Sequence, residues 1–199
     1  MIWHFAHKSL ENCVDYYDNK GVWHRQMQEL FPEKNREVFN NEFGRHFYDV
    51  LTDRGTIIEF QKSPISIDSF EDRTFAYVCY MDKHARWTVP IWVFNYTDRK
   101  FYLVDSDTER FGERNRALIW ERPTKIFSDY KESSAYYELW FVVSPVKRSY
   151  VLDNFYWEKR NVKLNAGYIK VKRILNDGRN VYGDIYTEKE FFRTITKLR

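Results

Sequence analysis

Between Val14 and Phe31 the apolar positions Val22, Trp23, Met27 and Leu30 recur at three- and four-residue steps, which predicts a helix stopped at Pro32. His24 and Gln28, four apart, share a second stripe of that helix. Short alternating runs follow at 36–40 (REVFN), 46–51 (HFYDVL) and 56–61 (TIIEFQ), separated by NEFG and DRG turns, and read as an antiparallel meander. Ser66 then stands as an N-cap, with Asp68 favoured in the first turn and Ile65 placed to staple onto Phe70, so a helix is expected from about 67 to about 81. Strands are expected again at 87–95 (WTVPIWVFN) and 100–105 (KFYLVD), Pro90 pushing the first toward an edge or an early break. Beyond 105 the runs ALIW, YYELWFVV and YIKVKRIL are strand-like, Asp177-Gly178 signals a turn, and Thr187 with Glu190 has the spacing of a capping box ahead of a terminal helix.

The DRG bend sets a register. A three-residue loop at Asp53, Arg54 and Gly55, with Gly55 supplying a positive φ, pairs Thr52 with Thr56 and so places Asp49 directly opposite Glu59 and Phe47 opposite Gln61. By alternation Asp49, Glu59 and Gln61 then share one face with Phe47, Leu51 and Ile57, while Tyr48, Val50, Ile58 and Phe60 occupy the other, better core face. Two carboxylates in a direct cross-strand pair repel each other unless something compensates. A hard divalent cation, Mg²⁺ or Mn²⁺, is the natural compensator, being commonly held by one or two carboxylates plus water and phosphate oxygens. Acids on a hairpin are more often merely solvated, and that reading stands beside the metal one.

Composition narrows the classes. A chain of 199 residues, 43% hydrophobic and 19% aromatic, is a folded protein with one substantial core, which rules out a disordered segment. Cys13 and Cys79 form neither a CxxC pair nor a cluster with the five histidines, which argues against structural zinc and a disulfide framework and makes a cytoplasmic address the expectation. The opening MIWHFAHKS lacks a signal-type apolar stretch, no run is long enough to span a membrane, and no membrane partner is expected. The net charge of +3 says little, yet residues 144–175 hold eight Lys or Arg against two acids, leaving the rest of the chain net acidic. That window is interleaved with Tyr150, Phe155, Tyr156, Trp157 and Tyr168, a mixture suited to phosphate contact and base stacking, although most such runs are solvated strand faces.

The segments WHRQMQELFP (23–32), His46 with Asp49-Val50, IIEFQKSPIS (57–66), Arg73 and Tyr77, and IWVFN (91–95) together resemble the competence protein CoiA-like branch of the PD-(D/E)XK nuclease superfamily. The likeness covers about residues 5–105, from FAHKS onward, and lacks the cysteines of that family's N-terminal zinc-binding region. It implies a mixed α/β fold with a restriction-endonuclease-like α-β-β-β-α-β core over 1–110, followed by a β-rich basic extension and terminal helix over 111–199, the boundary being loose enough for one continuous domain. It also implies Asp49 and Glu59 as ligands of a catalytic Mg²⁺ or Mn²⁺, and Gln61 where most of the superfamily has lysine.

The residues themselves leave several roles open. His24 either faces the metal or packs beside Trp23, whereas His46, an odd step from Asp49, is expected to turn away. Ser63 and Ser66 either donate to phosphate at a helix amino end or merely cap it. Arg73 and Tyr77, sharing a helix face, either touch nucleic acid or buttress the site, and Lys159, Arg160, Lys170 and Lys172 are the basic candidates for DNA contact. The expectation is a metal-dependent deoxyribonuclease; the alternatives are a non-cleaving DNA-binding or recombination-accessory protein on the same fold and a protein-interaction module. Strandedness, cleavage position and self-association stay open at this stage.

Overall fold

The structure is a computed structural model. It describes residues 21–86, 88–99, 101–105, 115–120, 124–127, 130–144, 149–153, 156–160, 167–175 and 180–197, and for 102–105, 115–120, 125, 149–153 and 156–160 the backbone alone. FAHKS, the expected helix start from Val14, Cys13, the 106–114 boundary region and the Asp177-Gly178 turn lie outside the described residues.

The first helix among the described residues, α1 (Val22–Glu29), is followed by β1 (Arg36–Asn40), β2 (His46–Leu51), β3 (Ile57–Gln61), α2 (Ile67–Lys83) and β4 (Ile91–Tyr96). The order helix, three strands, helix, strand is the one expected. The later strands are β5 (Phe101–Asp105), β6 (Asn115–Trp120), β7 (Glu138–Val143), β8 (Ser149–Asp153), β9 (Tyr156–Arg160), β10 (Tyr168–Ile174) and β11 (Asn180–Tyr186), and α3 (Glu188–Thr196) closes the described chain. All eleven strands join one mixed sheet in the order β1-β2-β3-β4-β7-β10-β11-β6-β5-β8-β9. The neighbours β3, β4 and β7 run parallel, while β2 is antiparallel to both β1 and β3. Because β4 pairs with β7 and β5 lies between β6 and β8, the sheet runs unbroken across the loose boundary near residue 110.

Local signals explain the ends of the helices. Ser66 accepts a hydrogen bond from the Ser69 amide at 3.1 Å, and α2 runs two residues past its expected end to Lys83. Thr187 and Glu190 form the reciprocal capping box that starts α3.

The central strands are buried on both faces, so their side chains divide between two cores. Tyr48, Ile57, Trp92, Phe94, Leu139 and Phe141 pack with Phe70, Tyr77 and Met81 of α2. Val50, Ile58, Phe60, Val93 and Trp140 pack with Met27 of α1 and with Phe191 and Ile195 of α3. Helix α2 therefore covers one face and α1 with α3 the other, which sandwiches β3 and β4 between helices. Among the described residues no helix is long and apolar enough to cross a membrane.

Candidate active site at the β2–β3 fork

The bend before β3 has the expected form. The Thr52 amide donates to the Thr56 carbonyl at 2.9 Å, Gly55 has φ +81°, and Val50 pairs with Ile58 and Leu51 with Ile57. Continued by one step, that register sets Asp49 opposite Glu59. There the ladder stops. The Phe60 amide donates to Asp49 Oδ2 at 2.9 Å, where a β2 carbonyl would accept in a continued ladder, and the Asp49 amide donates to Glu59 Oε1 at 3.3 Å. Beyond them β2 stays with β1 down to His46 and β3 stays with β4 up to Gln61, paired with Phe94. The strands part as a fork with Asp49 and Glu59 at its apex.

The expected division of faces needs correction. Tyr48 does not share a face with Val50: its ring lies 5.2 Å from Tyr77 and 5.4 Å from Tyr80, both on α2, whereas Val50 packs in the α1 core. The turnover occurs at Asp49. Opposite it in the β1–β2 register stands Glu37, a non-glycine residue at φ +51° within a strand. A backbone in this conformation is strained and rotates the ribbon about its axis, and such strain gathers at functional sites. For the same reason His46 does not turn away; its ring meets the Tyr77 edge at 6.1 Å, and burial, with the Arg73 charge, lowers its pKa.

Each acid is held by a different helix. His24 Nε2 of α1 lies 3.0 Å from Asp49 Oδ1, the tautomer with hydrogen on Nε2 making it the donor. Gln28, one turn on and buried, donates to the Asp49 carbonyl at 3.3 Å and to Glu37 Oε1 at 3.1 Å, which ties α1 to the kink. From the opposite face the Tyr77 hydroxyl donates to Glu59 Oε1 at 2.8 Å, and the Arg73 guanidinium pairs with Glu59 Oε2 while its Nε donates to the Tyr77 hydroxyl. Arg73 also lies over the Trp92 ring, 5.0 Å from its centroid. The carboxylates thus meet at the sheet plane but are gripped from its two sides, and Arg73 supplies positive charge from within the chain.

Glu59 is 1% exposed. Its burial and the nearby Asp49 charge push its pKa up to about 8, although Arg73 and Tyr77 pull the other way. The Trp92 indole N–H, on the residue paired with Glu59 across the β3–β4 ladder, is buried and has no hydrogen-bond partner.

The remaining sequence candidates scatter. Gln61, at the mouth of the fork, donates to the Ser63 carbonyl at 2.6 Å. Ser66 caps α2, and Tyr77, fully buried, buttresses Glu59. Lys170 lies within 3.2 Å of Glu132 and 2.6 Å of Glu138, and Lys172 within 2.8 Å of Glu132 and 3.6 Å of Asp184, so both pair with acids beside β10. Lys159 and Arg160 belong to β9, the edge strand farthest from β1 in the sheet order. Sequence reasoning missed Glu37, Trp92 and the role of Gln28. Only Gln28 carried a signal, its stripe shared with His24. Compared with family models, curated proteins and solved structures, the chain matches none.

Proposed function

We propose that the fork is the active site of a divalent-cation-dependent deoxyribonuclease built on a PD-(D/E)XK-like core. The observation that carries this reading is the convergence of Asp49 and Glu59 on the apex where β2 and β3 part, each oriented by a separate helix. Side chains held on rigid elements by supporting hydrogen bonds give the positional precision that catalysis needs.

The donor set fits a hard cation. Among the described residues no group of three or more His, Cys, Asp or Glu could enclose a metal, but Mg²⁺ and Mn²⁺ take one or two carboxylates from protein and complete their shell with water and substrate oxygens. Asp49 and Glu59 would hold the ion, which polarises a phosphoryl oxygen and acidifies a bound water. The other side chains act on position and charge. His24 fixes the Asp49 carboxylate, Tyr77 fixes that of Glu59, and Gln61, uncharged, orients water or phosphate through its carboxamide. Arg73, kept protonated because Glu59 outweighs the effect of its burial, adds positive charge beside a developing phosphoryl anion.

One observation favours a second reading. The Arg73 guanidinium already pairs with Glu59, and a protein that binds DNA on this fold without cutting it would keep that internal cation in place of a metal. Glu59→Ala separates the two. For a nuclease it lowers Mg²⁺- or Mn²⁺-dependent cleavage of labelled DNA by about a thousandfold, corresponding to several kcal/mol of transition-state stabilisation, with the circular dichroism spectrum unchanged. Cleavage that persists in this variant removes the assignment; absence of divalent-dependent turnover in the unaltered protein, with binding that weakens steeply with salt, selects the second reading.

A further inference from the structure

Beside the fork lies a cavity of about 380 Å³, within the size range of small-ligand pockets. It is enclosed by three segments: the exit from β3 at 62–65, the end of β4 with its turn at 94–99, and residues 124 and 126 around the short 3-10 element Lys125–Phe127. Its position follows from topology, since the parallel pairing of Gln61 with Phe94 sets the carboxyl ends of two strands side by side. Ligands in α/β sheets bind beyond such ends.

The lining combines two chemistries. Tyr96 and Ile126, both half-buried, offer an apolar wall behind which Phe94 is buried. Lys62 and Arg99, both exposed, bring two cations to the rim, and the single lining acid, Asp98, stands 3.9 Å from Arg99, so the rim is net positive. A planar aromatic ring bearing a phosphate meets both requirements. A purely apolar ligand leaves the cations unused, and an inorganic anion leaves the wall unused.

Resting on the nuclease reading of the fork, we propose that this cavity takes one unpaired nucleotide of the strand whose phosphate enters the fork, its base against Tyr96 and Ile126 and its phosphate at Lys62 and Arg99. Gln61 links the two places. It ends the strand that carries Glu59, and its carboxamide bonds to Ser63, which lines the cavity. A base can enter only when it is out of the duplex stack, so the site selects single-stranded or splayed DNA.

The test uses the full chain in EDTA, where binding is read without turnover, and fluorescence anisotropy with a labelled oligothymidylate and a blunt duplex of equal length. The expected result is at least about tenfold tighter binding of the single strand, with at least about fivefold loss of that preference in Thr124→Trp, which fills the cavity, and in the exposed double variant Lys62→Glu/Arg99→Glu. Equal affinity for the two DNAs, or a preference untouched by both variants, overturns the proposal. The outcome is separable from that of the nuclease reading. Selective single-strand binding that these variants abolish, in a protein that never cleaves with Mg²⁺ or Mn²⁺, keeps the subsite and discards the nuclease; divalent-dependent cleavage with no strand preference does the reverse.

Discussion

Two clusters of charge in this protein look alike as residue lists and differ in every physical respect. On β10, Lys170 and Lys172 share Glu132, Glu138 and Asp184 at partly exposed positions, Lys172 at the point where the β10–β11 register shifts. Burial works against the Glu132 anion, yet Lys172 and Lys170 outweigh it and hold its pKa below the ordinary value. At the fork, burial and a second acid win over Arg73, and the Glu59 pKa rises. The first cluster is electrostatically satisfied. The second is under-compensated, sits on a strained backbone at Glu37 and interrupts a β-ladder. That contrast, rather than the density of basic residues, is what singles out the fork as the candidate site, because structural ion pairs relax toward satisfaction while functional groups are held away from it.

The comparison breaks most readily at Arg73. Replacing it with methionine leaves Glu59 buried beside Asp49 without its guanidinium, and urea unfolding should show a loss of about 3 kcal/mol, the low end for breaking a buried pair because Glu59 can take up a proton. A change under about 1 kcal/mol would place Arg73 among dispensable surface charges.

Next in size is the pH dependence. A carboxyl whose pKa is raised on folding stabilises the protein below its unfolded value, and that contribution is lost as pH rises through the folded one. Stability should therefore fall between about pH 4.5 and pH 8, and Glu59→Gln should flatten the profile. A profile unaltered by that substitution would show that Glu59 titrates normally. Smallest is Lys172→Ala on β10, expected to cost under about 1 kcal/mol in the same unfolding measurement, as solvent-screened pairs do. A loss rivalling that of Arg73→Met would erase the distinction between the clusters.

Much of the fork was readable in advance because its determinants are local. Gly55 after Asp53 and Arg54 set the bend, the bend set the pairing of Leu51 with Ile57, and the count from there brought Asp49 and Glu59 together. Ser66 and the Thr187–Glu190 box were legible for the same reason, each cap being decided within four residues. The facing of Tyr48 and His46 was not. Alternation predicts faces only for an unbroken strand, and the positive φ of Glu37 on the neighbouring strand breaks it. The ion pairs of Lys170 and Lys172 were not legible either, since their partners lie up to 40 residues away in the chain.

By itself the amino-acid order determined the run of helices and strands, the tight bend and the two acids facing each other across it, for these depend on neighbours a few positions apart. Only the tertiary structure decided that one helix grips Asp49 and another Glu59, that an arginine pairs with the deeper acid, and that a cavity opens beside Gln61. Those outcomes depend on which distant groups are excluded from water together, and burial is a property of the assembled sheet and helices rather than of any one segment.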